Sequence, residues 1–328
     1  MKAKKRAITY SMIRSFLTCR AQFDYRYNRN IVPVDTPQAL SFGTAVHAAL
    51  EAWFRFGDID AARIAILKEG LEQEDRLKAT VLVEKYIEHW GTEAFRVIGV
   101  EHEFCEPLLN PKTRRASRTF QLCGKVDGIV KIGSEHYILE HKTCANISQE
   151  YLDRVLIDMQ IAIYADAISR QLGMPIVGAI YDILEKPQIR MRKGETESEF
   201  EARRAELISK SKTGKTTAQR KLPESAEEFT ERLRGAITSE NYHREIVKFD
   251  EQTIKEHQAE IWQIADDIRR GALYKNTGSC ANFGCACKYL NLCRCKGDLS
   301  KCDGLYEQRR AHEELSKETA MQTEDMPW

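Results

Sequence analysis

The sequence predicts an α/β fold with a mixed central sheet, and three stretches carry that prediction. Gly124–Thr143, GKVDGIVKIGSEHYILEHKT, reads as a β-hairpin. Ile176–Leu184, IVGAIYDIL, is a continuous apolar run of the kind found in a strand covered on both faces. Between them, Ser148–Leu172 has helical spacing and stops at Gly173-Met174-Pro175. Hairpin, helix and strand in that order form the crossover expected of an α/β sheet.

The hairpin is the element around which the rest is arranged. Its arms, Lys125–Lys131 and Glu135–His141, flank Gly133-Ser134, and glycine at the first turn position suits a type II′ connection. A two-residue turn there sets Asp127 directly across from Glu140, with Cβ atoms about 5 Å apart. Two carboxylates at that spacing can share a divalent cation. Lys142 lies two residues beyond Glu140, so the strand period puts its ammonium on the same face. Asp, Glu and Lys on one face suit metal-assisted phosphodiester chemistry; a solvated, salt-bridged face is the competing reading.

At 328 residues the chain has room for one large or two ordinary domains with a real core. Hydrophobic content of 42% and charged content of 30% mark it as globular. A net charge of +1 means that any nucleic-acid surface is local. No apolar run is long enough to span a bilayer, and Met1–Arg6 leads into no signal-type segment, so a cytoplasmic protein without membrane association is expected. Ten cysteines in a reducing compartment then point to metal ligands or buried thiols instead of disulfides.

Taken in order, Tyr10–Asn30 has apolar and aromatic residues at near-helical spacing, with Ser11 as its N-cap candidate and Cys19 in its middle. Ser41–Gly57, SFGTAVHAALEAWFRFG, is a strong helix in which His47 and Glu51 share a face. A lone histidine on such a helix is more often a core residue than a ligand. Ile59–Trp90 continues as one or two amphipathic helices, and Val97–Pro107 reads as a strand. Asn110–Thr119 holds four basic residues and no acid, either a phosphate-backbone contact or a solvated turn.

In the crossover helix, capped by Asn146 or Ser148, Gln160 and Tyr164 share a face. Beyond the apolar strand, Glu195–Ala205 is a charge-dense helix. Ser209–Lys221, with five basic residues and no acid, reads as a mobile arm. Its Gly214-Lys215-Thr216 lacks the first glycine of a phosphate-binding loop, which excludes an ATPase reading. Ser225–Gly235 and Asp250–Leu273 are helical. Gly278–Cys302 packs in six of the ten cysteines, a strong metal-site signal, and Asp303–Trp328 has a helical start and a polar tail.

In the order in which these motifs fall, the chain resembles the PD-(D/E)xK nuclease superfamily, in its RecB-like, exonuclease V-like branch with a C-terminal iron–sulfur cluster. GTAVHAALE, GKVDGIV, LEHKT and QIAIY are similar to that branch's successive motifs. The resemblance implies a restriction-endonuclease-like core, a mixed sheet flanked by helices, with helical insertions and a Cys-rich C-terminal segment. It implies His47, Asp127, Glu140 and the His141 backbone carbonyl as ligands of Mg²⁺ or Mn²⁺, Lys142 on the water or phosphate, and Gln160 and Tyr164 in support of catalysis. It implies Cys19, Cys280, Cys287 and Cys293 as ligands of a [4Fe-4S] cluster, leaving Cys285, Cys295 and Cys302 outside the pattern. Zinc is the alternative metal.

The expected organisation is one nuclease domain over residues 1–302. Its core spans about 41–184, a basic and helical insertion about 185–249, and the cluster segment 278–302, with a tail over 303–328. The expected activity is metal-dependent hydrolysis of DNA, exonucleolytic, in repair, recombination, or phage or CRISPR-type processing. The expected partners are DNA that is single-stranded or carries a free end, and a helicase or recombination protein. The competing classes are a non-catalytic, zinc-stabilised nucleic-acid-binding module and an electron-transfer oxidoreductase; the latter lacks any nucleotide or flavin fingerprint.

Overall fold

The structure, a computed structural model, describes residues 5–34, 38–271, 273–282, 285–312 and 315. Its strands are β1 (Arg6–Ile8), β2 (Ile31–Pro33), β3 (Arg96–Leu109), β4 (Ala116–Ile132), β5 (Glu135–Cys144), β6 (Ile176–Glu185), β7 (Tyr242–Lys248), β8 (Ala281–Asn282), β9 (Cys285–Ala286) and β10 (Tyr306–Gln308). Its helices are α1 (Tyr10–Thr18), α2 (Arg20–Phe23), α3 (Gln38–Phe56), α4 (Ile59–Lys68), α5 (Gln73–Trp90), α6 (Gln149–Leu156), α7 (Met159–Leu172), α8 (Glu197–Lys210), α9 (Ala226–Ala236), α10 (Glu251–Arg270) and α11 (Leu290–Arg294).

Six strands form one mixed sheet in which β4, β5, β6 and β7 are successive neighbours, while β4 also pairs with β1 and β3. The β4–β5 hairpin has the expected register, Gly128 opposite Leu139 through to Ile132 opposite Glu135, and only Gly133 in its turn has positive φ. β5 and β6 are parallel, joined through α6 and α7 as the crossover requires. Helices cover both faces. α1, α7 and α10 bury Phe16, Ile161, Ile168 and Ile261 with the sheet on one side. On the other, α3, α4, α5 and α9 close a second apolar core around Val46, Leu50, Leu82 and Phe229.

The topology leaves an opening that positions the site. β3 follows β4 along one edge. On the other edge, β1 pairs with β4 only as far as Leu122 and β5 pairs with it only from Gly128 onward, so among the described residues the segment between has no strand partner on that edge. Because β1 runs parallel to β4 and β5 antiparallel, their carboxyl ends meet at this gap. In open α/β sheets a crevice outside strand carboxyl ends is the usual ligand position.

Several elements differ from expectation for local reasons. The first helix is capped by Thr9, whose side chain accepts the Met12 N–H, and not by Ser11. It breaks at Cys19, which is extended at φ −162° and ψ 120°, before α2 and a short π-helical turn, Asp24–Asn28. The crossover helix is two helices because Asp158 leaves the helix and uses its carboxylate to cap Gln160 N–H. The Asn110–Thr119 loop is shorter than expected, since β4 already begins at Ala116.

The supposed mobile arm is tied down. Arg203 donates to Gln219 O at 2.8 Å, and Lys210, Arg220 and Lys221 pair with Glu206, Glu197 and Glu195. β7 lies within the stretch assigned to a helical insertion, yet it is the sheet's sixth strand. Tyr306–Gln308 is β10, paired with β2, where a helical start was expected; 313–314 and 316–328 lie outside the described residues. Cys105 and Cys123, directly opposite each other in the β3–β4 ladder, are joined as a disulfide, which corrects the expectation of thiols alone.

Candidate active site

Asp127 and Glu140 come one step past the last bonded pair of the β4–β5 ladder, Gly128 with Leu139. There the Asp127 carboxylate takes over the ladder's role. Its Oδ2 accepts the His141 backbone N–H at 2.7 Å and lies 3.2 Å from His141 Nδ1. Its Oδ1 lies 3.3 Å from His47 Nδ1, across from α3. α3 can come this close to β5 because Gly43 carries no side chain; a Cβ there would stand 3.0 Å from Thr143 Oγ1. Lys142 Nζ donates to Glu140 Oε1 at 2.6 Å. His47, Asp127, Glu140 and Lys142 are thus assembled at the sheet's gap.

Electrostatics sorts the groups. Burial pushes the Asp127 carboxyl up, but His47 and His141 outweigh it and hold it well below the usual carboxylate range. Burial pushes Glu140 up, and repulsion from Asp127 adds to this against the pull of Lys142. Burial draws Lys142 down, yet Glu140 more than offsets this and keeps it an ammonium. His47 is likewise drawn down by burial and raised overall by Asp127. The donor set is oxygen-rich with one imidazole, which matches Mg²⁺ or Mn²⁺. Among the described residues, however, no three His, Cys, Asp or Glu side chains are closed up into a metal cage.

Of the two residues expected to support catalysis, Gln160 lines the groove beside Lys142, at the start of α7. Tyr164 is 3% exposed and lies in the core, edge-on to Phe104 at 4.8 Å, its hydroxyl accepting Tyr10 N–H at 3.2 Å. It packs on β4 only because residue 124 is glycine; a Cβ there would meet Tyr164 Cζ at 2.6 Å.

Two groups around the site escaped the sequence reading. Glu101, on β3 beside Asp127, adopts φ 53°, unusual for a non-glycine residue, and ion-pairs Lys125 two residues before Asp127. Behind the site, the His141 ring is buried and stacked on Phe54 at 5.5 Å, and its Nε2 has no hydrogen-bond partner among the described residues. Its register partner on β6 is Asp182, fully buried, which accepts from Tyr86 OH and from Arg244 at 2.6 Å. Arg244 in turn meets Glu93 at 2.6 and 3.2 Å and lies 3.8 Å over Trp90. A lone acid in the apolar run IVGAIYDIL was the available signal, because a buried carboxylate needs partners.

The chain's ends meet at a third place. The break at Cys19 leaves Thr18 O free to accept from Asn276 Nδ2 at 3.0 Å and Ser279 Oγ at 3.1 Å, while Asn276 N–H points at Cys19 Sγ at 3.4 Å. Burial raises the Cys287 thiol, and the thiols of Cys293, Cys19 and Cys280 lie close enough to raise it further, although among the described residues no three of these cysteines are closed up into a metal site. The Cys302 thiol is instead raised by burial and by a hydrogen bond with the Cys295 thiol, and Cys285 is exposed on β9. Tyr289 OH to Ile31 O at 2.8 Å and the β2–β10 pairing join the same ends independently of any metal.

The profile of the PD-(D/E)XK nuclease superfamily matches residues 7–294, from β1 to the end of α11. The chain belongs to this superfamily. Its mixed sheet flanked by helices has the restriction-endonuclease-like architecture of these nucleases. Among solved structures, a Eubacterium rectale protein described as a "putative exonuclease" is similar over 88% of this chain and 87% of its own, at 10% identity and a TM-score of 0.46. The structure of SSO0001 is similar over 71% of this chain and 74% of its own, at 11% identity and a TM-score of 0.28. No curated protein matches the chain. None of the helices among the described residues is long and apolar enough to cross a membrane.

Proposed function

We propose that this PD-(D/E)XK nuclease is a metal-dependent deoxyribonuclease, an exonuclease of the RecB-like branch whose ends are joined by an iron–sulfur cluster. The observation that carries the reading is the assembly of Asp127, Glu140, Lys142 and His47 at the gap between β1 and β5. Asp127, Glu140, His47 and the His141 carbonyl would hold Mg²⁺ or Mn²⁺. Such an ion, when bound, supplies a water activated at neutral pH and screens the phosphate charge. Asp127 is oriented by the His141 N–H and by His47. Lys142, kept an ammonium by Glu140, donates to a phosphate oxygen or to the attacking water and stabilises charge that grows there. Gln160 sits where it can touch the strand beside Lys142.

Cys19, Cys280, Cys287 and Cys293 would hold the cluster, and the Asn276 N–H aimed at Cys19 Sγ suits a thiolate ligand. Bound there, it supplies a cross-link between the chain's ends. This reading places the protein in the cytoplasm, acting on DNA with a free end in repair, recombination, or phage or CRISPR-type processing. A helicase or recombination partner would supply the strand separation.

The test uses anaerobically purified protein on end-labelled single- and double-stranded DNA with Mn²⁺, Mg²⁺ or chelator. Progressive, metal-dependent release of nucleotides from an end supports the reading. Intact DNA under every condition overturns it, and zinc without iron or sulfide overturns the cluster assignment.

A further inference from the structure

On β5 the side chain between Glu140 and Lys142 turns to the opposite face of the sheet. There the His141 ring is 3% exposed, stacked on Phe54 at 5.5 Å and edge-on to Tyr86 at 6.5 Å and to His47 at 6.1 Å. Its Nδ1 lies 3.2 Å from Asp127 Oδ2. A carboxylate only accepts, so Nδ1 carries the hydrogen between them. That leaves Nε2 for a second partner.

The ladders supply the neighbours. Asp182 on β6 is the register partner of His141, and Arg244 on β7 is the register partner of Asp182. Directly paired residues share a face, so the three form one polar row across the sheet. Arg244 anchors its outer end through Asp182 Oδ2 and Glu93, each at 2.6 Å. Every member keeps one buried polar atom without a hydrogen-bond partner among the described residues: His141 Nε2, Asp182 Oδ1 and Arg244 Nε. Three such atoms beside Phe54, Trp90 and Phe95 are costly unless they share a partner. A water both donates and accepts. It can take the Arg244 Nε–H, donate to Asp182 Oδ1 and bond Nε2 at once.

We propose that His141, Asp182 and Arg244 form a positioning row, closed by one buried water, which fixes the His141 ring and through it the Asp127 carboxylate. The inference rests on the reading of Asp127 as a metal ligand for its consequence, and it gives the His141 side chain a role separate from that of its backbone. Removing a hydrogen-bond partner behind a metal ligand typically costs about 10–100-fold in metal affinity.

The test reads the ring and the ion separately, in the full chain. Nitrogen-15 NMR of histidine-labelled protein without divalent metal uses His141→Phe to assign the signals. It is expected to show hydrogen on His141 Nδ1 and an Nε2 signal that moves in Asp182→Asn. Calorimetric titration then gives the Mn²⁺ affinity. His141→Phe keeps the backbone N–H, the carbonyl and a stacked ring, and should weaken Mn²⁺ binding about 10–100-fold. His141→Asn offers an amide donor near the Nδ1 position and should recover most of that loss. Asp182→Asn should weaken binding about tenfold with the fold retained. A merely structural histidine would move the melting curve and leave both the Nε2 signal and the rescue by asparagine unaccounted for. Undiminished Mn²⁺ affinity in folded His141→Phe, hydrogen on Nε2 alone, or an Nε2 signal indifferent to Asp182→Asn overturns the row. Absence of Mn²⁺ binding in the unaltered protein overturns the metal reading instead, and the NMR result still decides the row.

Discussion

Asp182→Ala is expected to cost about 4 kcal/mol. The Asp182 side chain is fully buried and accepts from Arg244 at 2.6 Å and from Tyr86 OH. Removing one partner of a buried ion pair costs about 3–5 kcal/mol, because the other charge stays out of water without compensation. Arg244 keeps Glu93 at 2.6 and 3.2 Å and its face on Trp90, so the lower end, about 3 kcal/mol, applies to the ion pair. The Tyr86 hydroxyl loses its acceptor at the same time, which adds about 1 kcal/mol. Asp182→Asn keeps an acceptor for both donors, and Tyr86→Phe removes only the hydroxyl; each should cost about 1–2 kcal/mol. Urea unfolding followed by tryptophan fluorescence reads the difference, since Trp90 stacks on Arg244. A loss below about 1 kcal/mol for Asp182→Ala would refute the reasoning, as that is the range of an exposed pair.

Three further outcomes are expected. Gly124→Ala should destabilise by about 1–3 kcal/mol through overpacking, because the new Cβ meets Tyr164 and Phe104 at 2.6 and 3.0 Å; an unchanged urea midpoint would show that the packing yields. Cys19→Ser should lower iron content and melting temperature together, with a loss up to about 4 kcal/mol by analogy with a long disulfide loop, moderated because β2–β10 also ties the ends. Full iron with an unchanged melting point would remove Cys19 from the site. Arg203 and Arg232 hold Glu195 and Glu224 at about 2, so their stabilisation is complete above the ordinary glutamate range near 4.5 and is lost as pH falls toward about 2. Helical circular dichroism should decline in that window, and Arg203→Gln should flatten the decline; a flat acid limb in the unaltered protein contradicts it.

The parts of the fold legible in the sequence were those in which one local pattern decides the outcome. The Gly133-Ser134 turn and period-two arms specify the hairpin register, and the long apolar run at Ile176–Leu184 specifies a buried strand, observed as Ile176–Glu185. The grouping of Asp127 on β4 with Glu140 and Lys142 on β5 was legible for the same reason, as residues on one face of the hairpin. The missed features depend on contacts far away in sequence. The helix breaks at Cys19 to free Thr18 O for residues some 260 positions on, which periodicity through Phe16, Leu17 and Phe23 conceals. Asp158 was readable as a mid-helix cap but lay inside an unbroken apolar pattern. β7, YHREIVK, is a sheet edge with charged residues facing water, so its alternation resembled a solvated segment. The Asp182–Arg244 network needs strands β6 and β7 side by side before either residue has a partner.

The central claim is that Asp127, Glu140 and Lys142 form one metal-dependent centre for DNA hydrolysis, and substitution of each in turn addresses it most directly. Asp127→Asn, Glu140→Gln and Lys142→Met are assayed on end-labelled DNA with Mn²⁺, alongside isothermal titration of Mn²⁺ and a melting curve. The account predicts cleavage lowered at least 100-fold in all three while the fold is retained. Mn²⁺ affinity should be lost in the two carboxylate variants and kept in Lys142→Met, whose ammonium is no ligand. Full cleavage in any one of the three, with its fold intact, would contradict the account.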